Sequence, residues 1–147
     1  PGMEGCHWPL RKMTSDKYPD FMRFILSGKP VKAKQAVGWL TDYAGTIEDS
    51  IKMAWKIASG GDHGLKKREL NEKSITNIPA EIGGLENTDD VTLTESRKAI
   101  LDCILNSCKA TLAEAISVQA KFSGEFMTTK LCKKGMVGSA YSKTWQV

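Results

Sequence analysis

The stretch that decides the fold is residues 92–126, TLTESRKAILDCILNSCKATLAEAISVQAKFSGEF. Its apolar residues recur at intervals of three and four, the spacing that places side chains on one face of an α-helix. Together with Gln119, they are Ile100, Leu101, Ile104, Leu105, Cys108, Leu112, Ala115, Ile116, Phe122 and Phe126. Thr92 and Glu95 predict a capping box at the helix start. Unbroken, such a helix would extend close to ~50 Å, so we expect a bend near Asn106–Ser107 or a partner subunit.

Shorter helices are predicted nearer the start of the chain. Ser15 or Asp16 can cap a helix entered through Pro19, and Gly28 suits its C-terminal end. The apolar side of this helix comprises Phe21, Phe24, Ile25 and Leu26. A brief helix over 33–37 and a small extended piece over 38–43 are expected to follow.

Thr46 marks a further helix start, because acidic residues follow it in the first turn. The pattern predicts one buried face, made by Ile47, Ile51, Ala54, Trp55 and Ala58, and a stop at Gly60–Gly61. Residues 61–91 are polar and punctuated by Gly and Pro, which indicates a surface insertion with a short helix over 65–70. The chain therefore divides into 1–60, the insertion at 61–91, and long C-terminal helices over 92–147.

Length and composition describe a single globular domain. The chain has 147 residues, of which 41% are hydrophobic and 26% charged, as in ordinary globular proteins. No apolar run approaches the ~18 residues that a membrane span needs, so no membrane partner is expected. The net charge of +4 arises from small basic groups, such as Lys66-Lys67-Arg68. These groups fit a phosphorylated small molecule better than nucleic acid, which usually requires a longer basic stripe. For any single lysine, a solvated surface position is the more common explanation.

The four cysteines, Cys6, Cys103, Cys108 and Cys132, include no C-x-x-C pair. This spacing indicates neither a zinc site nor a redox dithiol, and no metal is expected. Cys103 and Cys108 lie in the helical segment, where a buried thiol is the usual role.

The first twelve residues, PGMEGCHWPLRK, have the character of an active-site loop. We therefore expect this chain to be the C-terminal portion of an enzyme. Glu4 and His7 stand three apart among glycines and could act as general base and acid. An ordinary surface turn explains the same spacing, and a Cys6 nucleophile beside His7 is a further, weaker alternative.

The order of motifs extends from this loop to the end of the chain. After Pro1-Gly2-Met3-Glu4-Gly5 come Leu26-Ser27-Gly28, Ala33-Lys34-Gln35-Ala36, Gly38-Trp39-Leu40, Ile57-Ala58, Lys134-Gly135 and Ala140-Tyr141. This order resembles the C-terminal part of the crotonase (enoyl-CoA hydratase/isomerase) superfamily. The tail over 126–144 is most similar to the branch that opens cyclic 6-oxo-enoyl-CoA rings in anaerobic aromatic degradation.

The resemblance implies a fold and an activity. The chain would be mostly α, the end of the core and the oligomerisation helices of an α/β fold built as a ββα spiral. Its substrate would be an acyl-CoA thioester, with coenzyme A part of the substrate and no other cofactor. Water would add to an enoyl-CoA or open the ring hydrolytically. An upstream N-terminal half would supply the oxyanion hole, and a cytoplasmic homotrimer or hexamer would form.

The resemblance also implies roles for individual residues. Glu4 would act as base and His7 would orient or donate, while Gly2, Gly5 and Trp8 would contact substrate. Tyr141 would lie near the CoA of a neighbouring subunit and Lys143 near a phosphate. The alternative is a non-catalytic oligomerisation and assembly module derived from the same fold.

Overall fold

The computed structural model describes residues 4–80 and 91–133, with only the backbone of Val91 and Thr92. Two short 3₁₀ helices, Pro9–Arg11 and Ser15–Lys17, precede the α-helices of this part of the chain. These are α1 (Tyr18–Ser27), α2 (Ala33–Ala36), α3 (Ile47–Ala58), α4 (Val91–Lys109) and α5 (Leu112–Thr128). Within the same ranges, the β structure is a single isolated bridge between Val37 and Thr41. The prediction of a mostly α-helical chain is confirmed.

Helices α4 and α5 form an antiparallel hairpin. Ser96 near the start of α4 and Phe126 near the end of α5 line the same cavity, so the second helix folds back along the first. The predicted bend near Asn106–Ser107 is misplaced, because the chain breaks at Ala110–Thr111. The break has a local cause: the backbone N–H and hydroxyl of Thr111 donate to the Glu114 carboxylate at 3.0 and 2.7 Å, which starts a new helix.

The start of α4 also differs from the prediction. Val91 already belongs to the helix, so Thr92 lies inside α4 and is not its N-cap. A short helical turn follows α5 at residues 130–133.

Helix α1 follows its predicted apolar pattern. Phe21 and Leu26 are buried, while Phe24 and Ile25 pack at the edge of the core. Gly28 ends the helix with a φ of 64°, a conformation that glycine adopts without steric cost. The predicted caps are wrong, because Lys17 is the N-cap residue and Ser15–Lys17 forms a 3₁₀ turn before it.

The segment after α1 is partly as predicted. Helix α2 is present, but residues 38–43 do not extend. They form a tight turn in which the Gly38 N–H donates to the Thr41 carbonyl at 2.8 Å.

Helix α3 begins at the residue predicted from the sequence, but its apolar face is exposed to solvent. The Asp49 N–H donates to the Thr46 hydroxyl at 3.1 Å, which caps the helix. The predicted buried face is wrong, because Ile47, Ile51 and Trp55 are 80%, 65% and 74% exposed. Helical periodicity identifies an apolar face but not what covers it, and in this structure that face is bare.

The segment 61–80 connects α3 to the core without a helix, so the helix expected over 65–70 is absent. Its later part is anchored: Ile75 and Ile78 are buried. The Ile75 N–H donates to the Cys108 carbonyl at 2.7 Å, and the Leu112 N–H donates to the Glu72 carbonyl at 2.9 Å. This segment therefore fixes the corner between α4 and α5.

The core joins the N-terminal loop, α1 and the hairpin. Its buried residues include Cys6, Leu10, Phe21, Met22, Ile104 and Cys108. No helix in the described ranges is both long enough and apolar enough to cross a membrane.

A buried arginine lies beside this core. The Arg11 side chain is 1% exposed, and its guanidinium uses all five N–H groups. Two go to the carbonyls of Ser107 and Ala110, at 3.1 and 2.9 Å. Two more go to the carbonyls of Asn71 and Lys73, at 3.2 and 2.8 Å. Since the last carbonyls of a helix lack partners and carry partial negative charge, the cation stabilises the end of α4.

Replacing this arginine tests its importance. We expect Arg11→Met to lower the free energy of unfolding by about 3 kcal/mol, because several buried carbonyls lose a charged donor. Arg11→Lys should recover little, since an ammonium cannot reach all these acceptors from one position. The measurement is urea unfolding at fixed protein concentration.

The matched control is Arg23→Met. Arg23 is exposed and lies 3.9 Å from Asp20, an arrangement worth less than about 1 kcal/mol. Equal losses in the two methionine variants would contradict the assigned role of Arg11.

Candidate functional site

The N-terminal loop is a compact turn built around Glu4. Its φ is 63°, and its carbonyl accepts hydrogen bonds from the N–H groups of His7 and Trp8 at 3.1 and 3.0 Å. The Cys6 N–H donates to the side-chain oxygen of Gln119 at 3.1 Å, which ties the loop to α5. The Glu4 side chain is half-buried, so its carboxylate sits at the edge of a fixed turn.

His7 points inward from this turn. The side chain is fully buried, and Nδ1 accepts a hydrogen bond from Nε of Arg11 at 3.2 Å. The proton of the neutral ring is therefore on Nε2, which has no hydrogen-bond partner in the described chain. Burial, and secondarily the Arg11 charge, lower the pKa of His7. The ring is thus a neutral acceptor for Arg11, and its proposed part in proton transfer stays a prediction.

Gly5 lines an apolar groove of about 630 Å³. The groove is formed with α1 and the turn after it, through Phe21, Phe24, Ile25, Pro30 and Leu40. Trp8 is 38% exposed on the same loop. The structure therefore brings Gly5 next to an apolar surface, with Glu4 adjacent in the chain.

A second groove, of about 800 Å³, is basic. Lys12, Lys66, Lys67 and Arg68 line it, with His63, Tyr43 and one side of α3. Arg68 is held in place: its Nε lies 2.7 Å from the Asp42 carboxylate, and its Nη1 donates to the Trp39 carbonyl at 2.8 Å. Arg68 is thus paired with a carboxylate, and the positive charge of the groove comes from its three lysines, which can attract anions. The run at 66–68 signalled this surface in the sequence, but Lys12 is distant in the chain and carried no such signal.

The basic groove and the apolar groove are lined by residues of the same two chain segments. Pro9 and Leu40 line the apolar groove, while Lys12 and Thr41 line the basic one. Residues close together in the sequence therefore contribute to both surfaces.

Some predicted site residues cannot be placed. Gly2, Tyr141 and Lys143 lie outside the described residues, so their roles stay predictions. Among residues 4–80 and 91–133, no group of three or more His, Cys, Asp or Glu side chains is arranged to hold a metal ion.

Comparison with known proteins returned no matching family model, no matching curated protein and no matching solved structure. The interpretation of the site therefore depends on its geometry and on the sequence resemblance.

The buried histidine predicts a pH dependence of stability. The pKa of His7 is lowered in the folded state, so below about pH 6.5 the unfolded chain binds more protons at this position. As the pH is lowered in that range, the free energy of unfolding should decrease, by up to ~1.4 kcal/mol per pH unit. His7→Gln, which keeps an acceptor for Arg11, should flatten this dependence in urea unfolding.

His63→Gln is the control, because His63 is only half-buried at the groove rim. It should follow the wild-type profile between pH 7.5 and 5. If the free energy of unfolding of His7→Gln changed with pH as it does in the wild type, a group other than His7 would cause the pH dependence.

Proposed function

We propose that this chain is part of an acyl-CoA-processing enzyme of the crotonase type that adds water to an enoyl-CoA. The finer proposal is hydrolytic opening of a cyclic 6-oxo-enoyl-CoA ring. The observation that carries the proposal is that the segments at Pro9–Lys12 and Leu40–Thr41 contribute both to an apolar groove and to a basic one. An apolar groove lined by Gly5, next to Glu4 in the chain, suits an acyl group, and a groove with three lysines suits the phosphates of coenzyme A.

Glu4 is proposed as the general base. Glu4 is half-buried and precedes Gly5, which lines the apolar groove. A carboxylate that reaches the bound enone from there could take a proton from the attacking water. The developing enolate requires hydrogen-bond donors at the thioester carbonyl, which we assign to an upstream half of the same fold. A trimer or hexamer would bring the C-terminal segment of a neighbour, with Tyr141 and Lys143, toward the CoA.

Substitution of the proposed base tests the activity. Glu4→Gln should reduce turnover by about 10²-fold or more, because the amide cannot accept the proton. The assay uses the protein as isolated with its partners. It follows loss of the conjugated enone of crotonyl-CoA and of a cyclic 6-oxo-enoyl-CoA.

Glu125→Gln serves as the matched control, because Glu125 is exposed on α5, and its turnover should equal wild type. Unchanged turnover in Glu4→Gln would eliminate Glu4 as base. Absence of turnover by wild type on both substrates would reject the enzyme proposal itself.

A second function is favoured by α3. Its exposed apolar face, Ile47, Ile51 and Trp55, is a contiguous surface of the kind that marks a protein interface. The alternative proposal is therefore a non-catalytic module that assembles a complex through this face. Under either proposal the chain is not a stable monomer alone.

Charging this face tests association. Ile51→Glu should shift the native mass toward the monomer, because a carboxylate cannot be buried there without a partner. Lys56→Gln changes the net charge equally from the opposite side of α3 and should leave the native mass unchanged. The measurement is native mass spectrometry. A cooperative thermal melt of a monomeric wild-type chain would contradict the role of this face.

A further inference from the structure

A cavity of about 200 Å³ lies between α4 and α5 and contains two cysteines from distant parts of the chain. Its walls are mainly apolar, with Ile100, Phe122 and Phe126, and carry two hydroxyls, Ser96 and Ser123. These five wall residues are all half-buried, so the cavity opens to solvent. Cys6 and Cys103 line it and are only 2% and 5% exposed.

The two thiols form a pair within this cavity. They hydrogen-bond to each other, and Gln119 fixes the backbone of Cys6. The Ser107 hydroxyl lies 4.0 Å from Sγ of Cys103. The hydrogen bond from Cys6 lowers the pKa of Cys103 to about 7, whereas the same contact and burial raise the pKa of Cys6. The pair is therefore asymmetric, and Cys103 loses its proton more readily than Cys6.

The other two cysteines provide internal comparisons. Cys108 is fully buried, and burial raises its pKa to about 12, so it is a poor nucleophile. Cys132 is half-exposed and lies in neither this cavity nor the pair. If accessibility alone governed reactivity, Cys132 would react first.

We propose that Cys6 and Cys103 are a redox dithiol, which a small hydroperoxide entering this cavity oxidises to an intramolecular disulfide. The cavity exceeds the ~30 Å³ that one water molecule occupies in the liquid, and its apolar walls suit a small alkyl hydroperoxide as well as hydrogen peroxide. This inference goes beyond the proposed acyl-CoA chemistry and is independent of it.

The reaction balances in two steps. The Cys103 thiolate attacks the terminal, hydrogen-bearing oxygen of the hydroperoxide, and the O–O bond breaks. The released alkoxide takes a proton from solvent to give an alcohol; with hydrogen peroxide, hydroxide is released and gives water. Sulfur is oxidised to a sulfenic acid and the peroxide is reduced. The Cys6 sulfur then attacks Sγ of Cys103, the S–O bond breaks, and hydroxide leaves with the Cys6 proton as water. An alkyl hydroperoxide thus yields one disulfide, one alcohol and one water, and hydrogen peroxide yields one disulfide and two waters.

A disulfide between Cys6 and Cys103 would join the N-terminal loop to α4. Cys6 is two residues from Glu4, so oxidation would fix the Glu4 turn covalently to the hairpin. The thiols already hydrogen-bond to each other, and the link requires their sulfurs to approach to about 2.05 Å.

The test treats wild-type protein, as isolated, with hydrogen peroxide or tert-butyl hydroperoxide at neutral pH. Remaining thiols are then blocked in denaturant and peptides are mapped without reduction. We expect a Cys6–Cys103 linked peptide and an intact mass lower by two hydrogen atoms, formed before Cys132 is modified. Oxidation of Cys132 while both Cys6 and Cys103 remain reduced would overturn the proposal, as would disulfides formed only between chains.

Variants resolve the order of the steps. Cys6→Ser should accumulate a sulfenic acid at Cys103 that dimedone traps, and Cys103→Ser should yield no linked peptide. Cys108→Ser is the control and should form the link as wild type does. The peptide map of oxidised wild-type protein decides by itself whether the Cys6–Cys103 disulfide forms, so this decision does not depend on whether each variant folds. A Cys6→Ser protein that folds but yields no dimedone adduct would reject Cys103 as the attacking thiol.

Discussion

One buried positive charge organises much of this structure. The guanidinium of Arg11 lies inside the protein, and none of its five hydrogen bonds goes to a carboxylate. A buried charge is costly unless its hydrogen bonds are met, and here four backbone carbonyls from two regions and Nδ1 of His7 accept them. The N-terminal loop, the segment at 71–73 and the end of α4 are thereby held at one point. The positions of Glu4 and Gly5, and so of the candidate site, depend on this arrangement.

Much of the local structure could be predicted because its causes are local. Thr46 caps α3 through its own first turn, and Gly28 ends α1 through its own φ. The break at Ala110–Thr111 was also encoded locally, in Thr111 and Glu114, but the continuous apolar pattern masked it. The exposure of α3 could not be predicted, because periodicity describes one helix and burial requires a second surface.

In the candidate site, too, some features follow from local sequence and others depend on tertiary contacts. The loop carrying Glu4 and Gly5 was identified from its motif, but the inward direction of His7 depends on Arg11, which sequence spacing does not reveal. The basic groove joins Lys12 to the run at 66–68, and the thiol pair joins positions 6 and 103. Both are tertiary contacts between residues far apart in the chain. Such contacts are set by the tertiary fold, so the spacing of residues along the chain does not reveal them.

The backbone at Glu4 has a consequence of its own. A side-chain-bearing residue at a φ of 63° is held in a conformation that costs roughly 1–2 kcal/mol relative to the right-handed region, and a glycine would avoid most of that cost. Stability alone would therefore favour glycine at this position. The chain places a carboxylate there at the expense of folding energy, and the charge of that carboxylate partly offsets the lowering of the His7 pKa. A strained position of this kind is a reason to examine the residue for a role beyond folding.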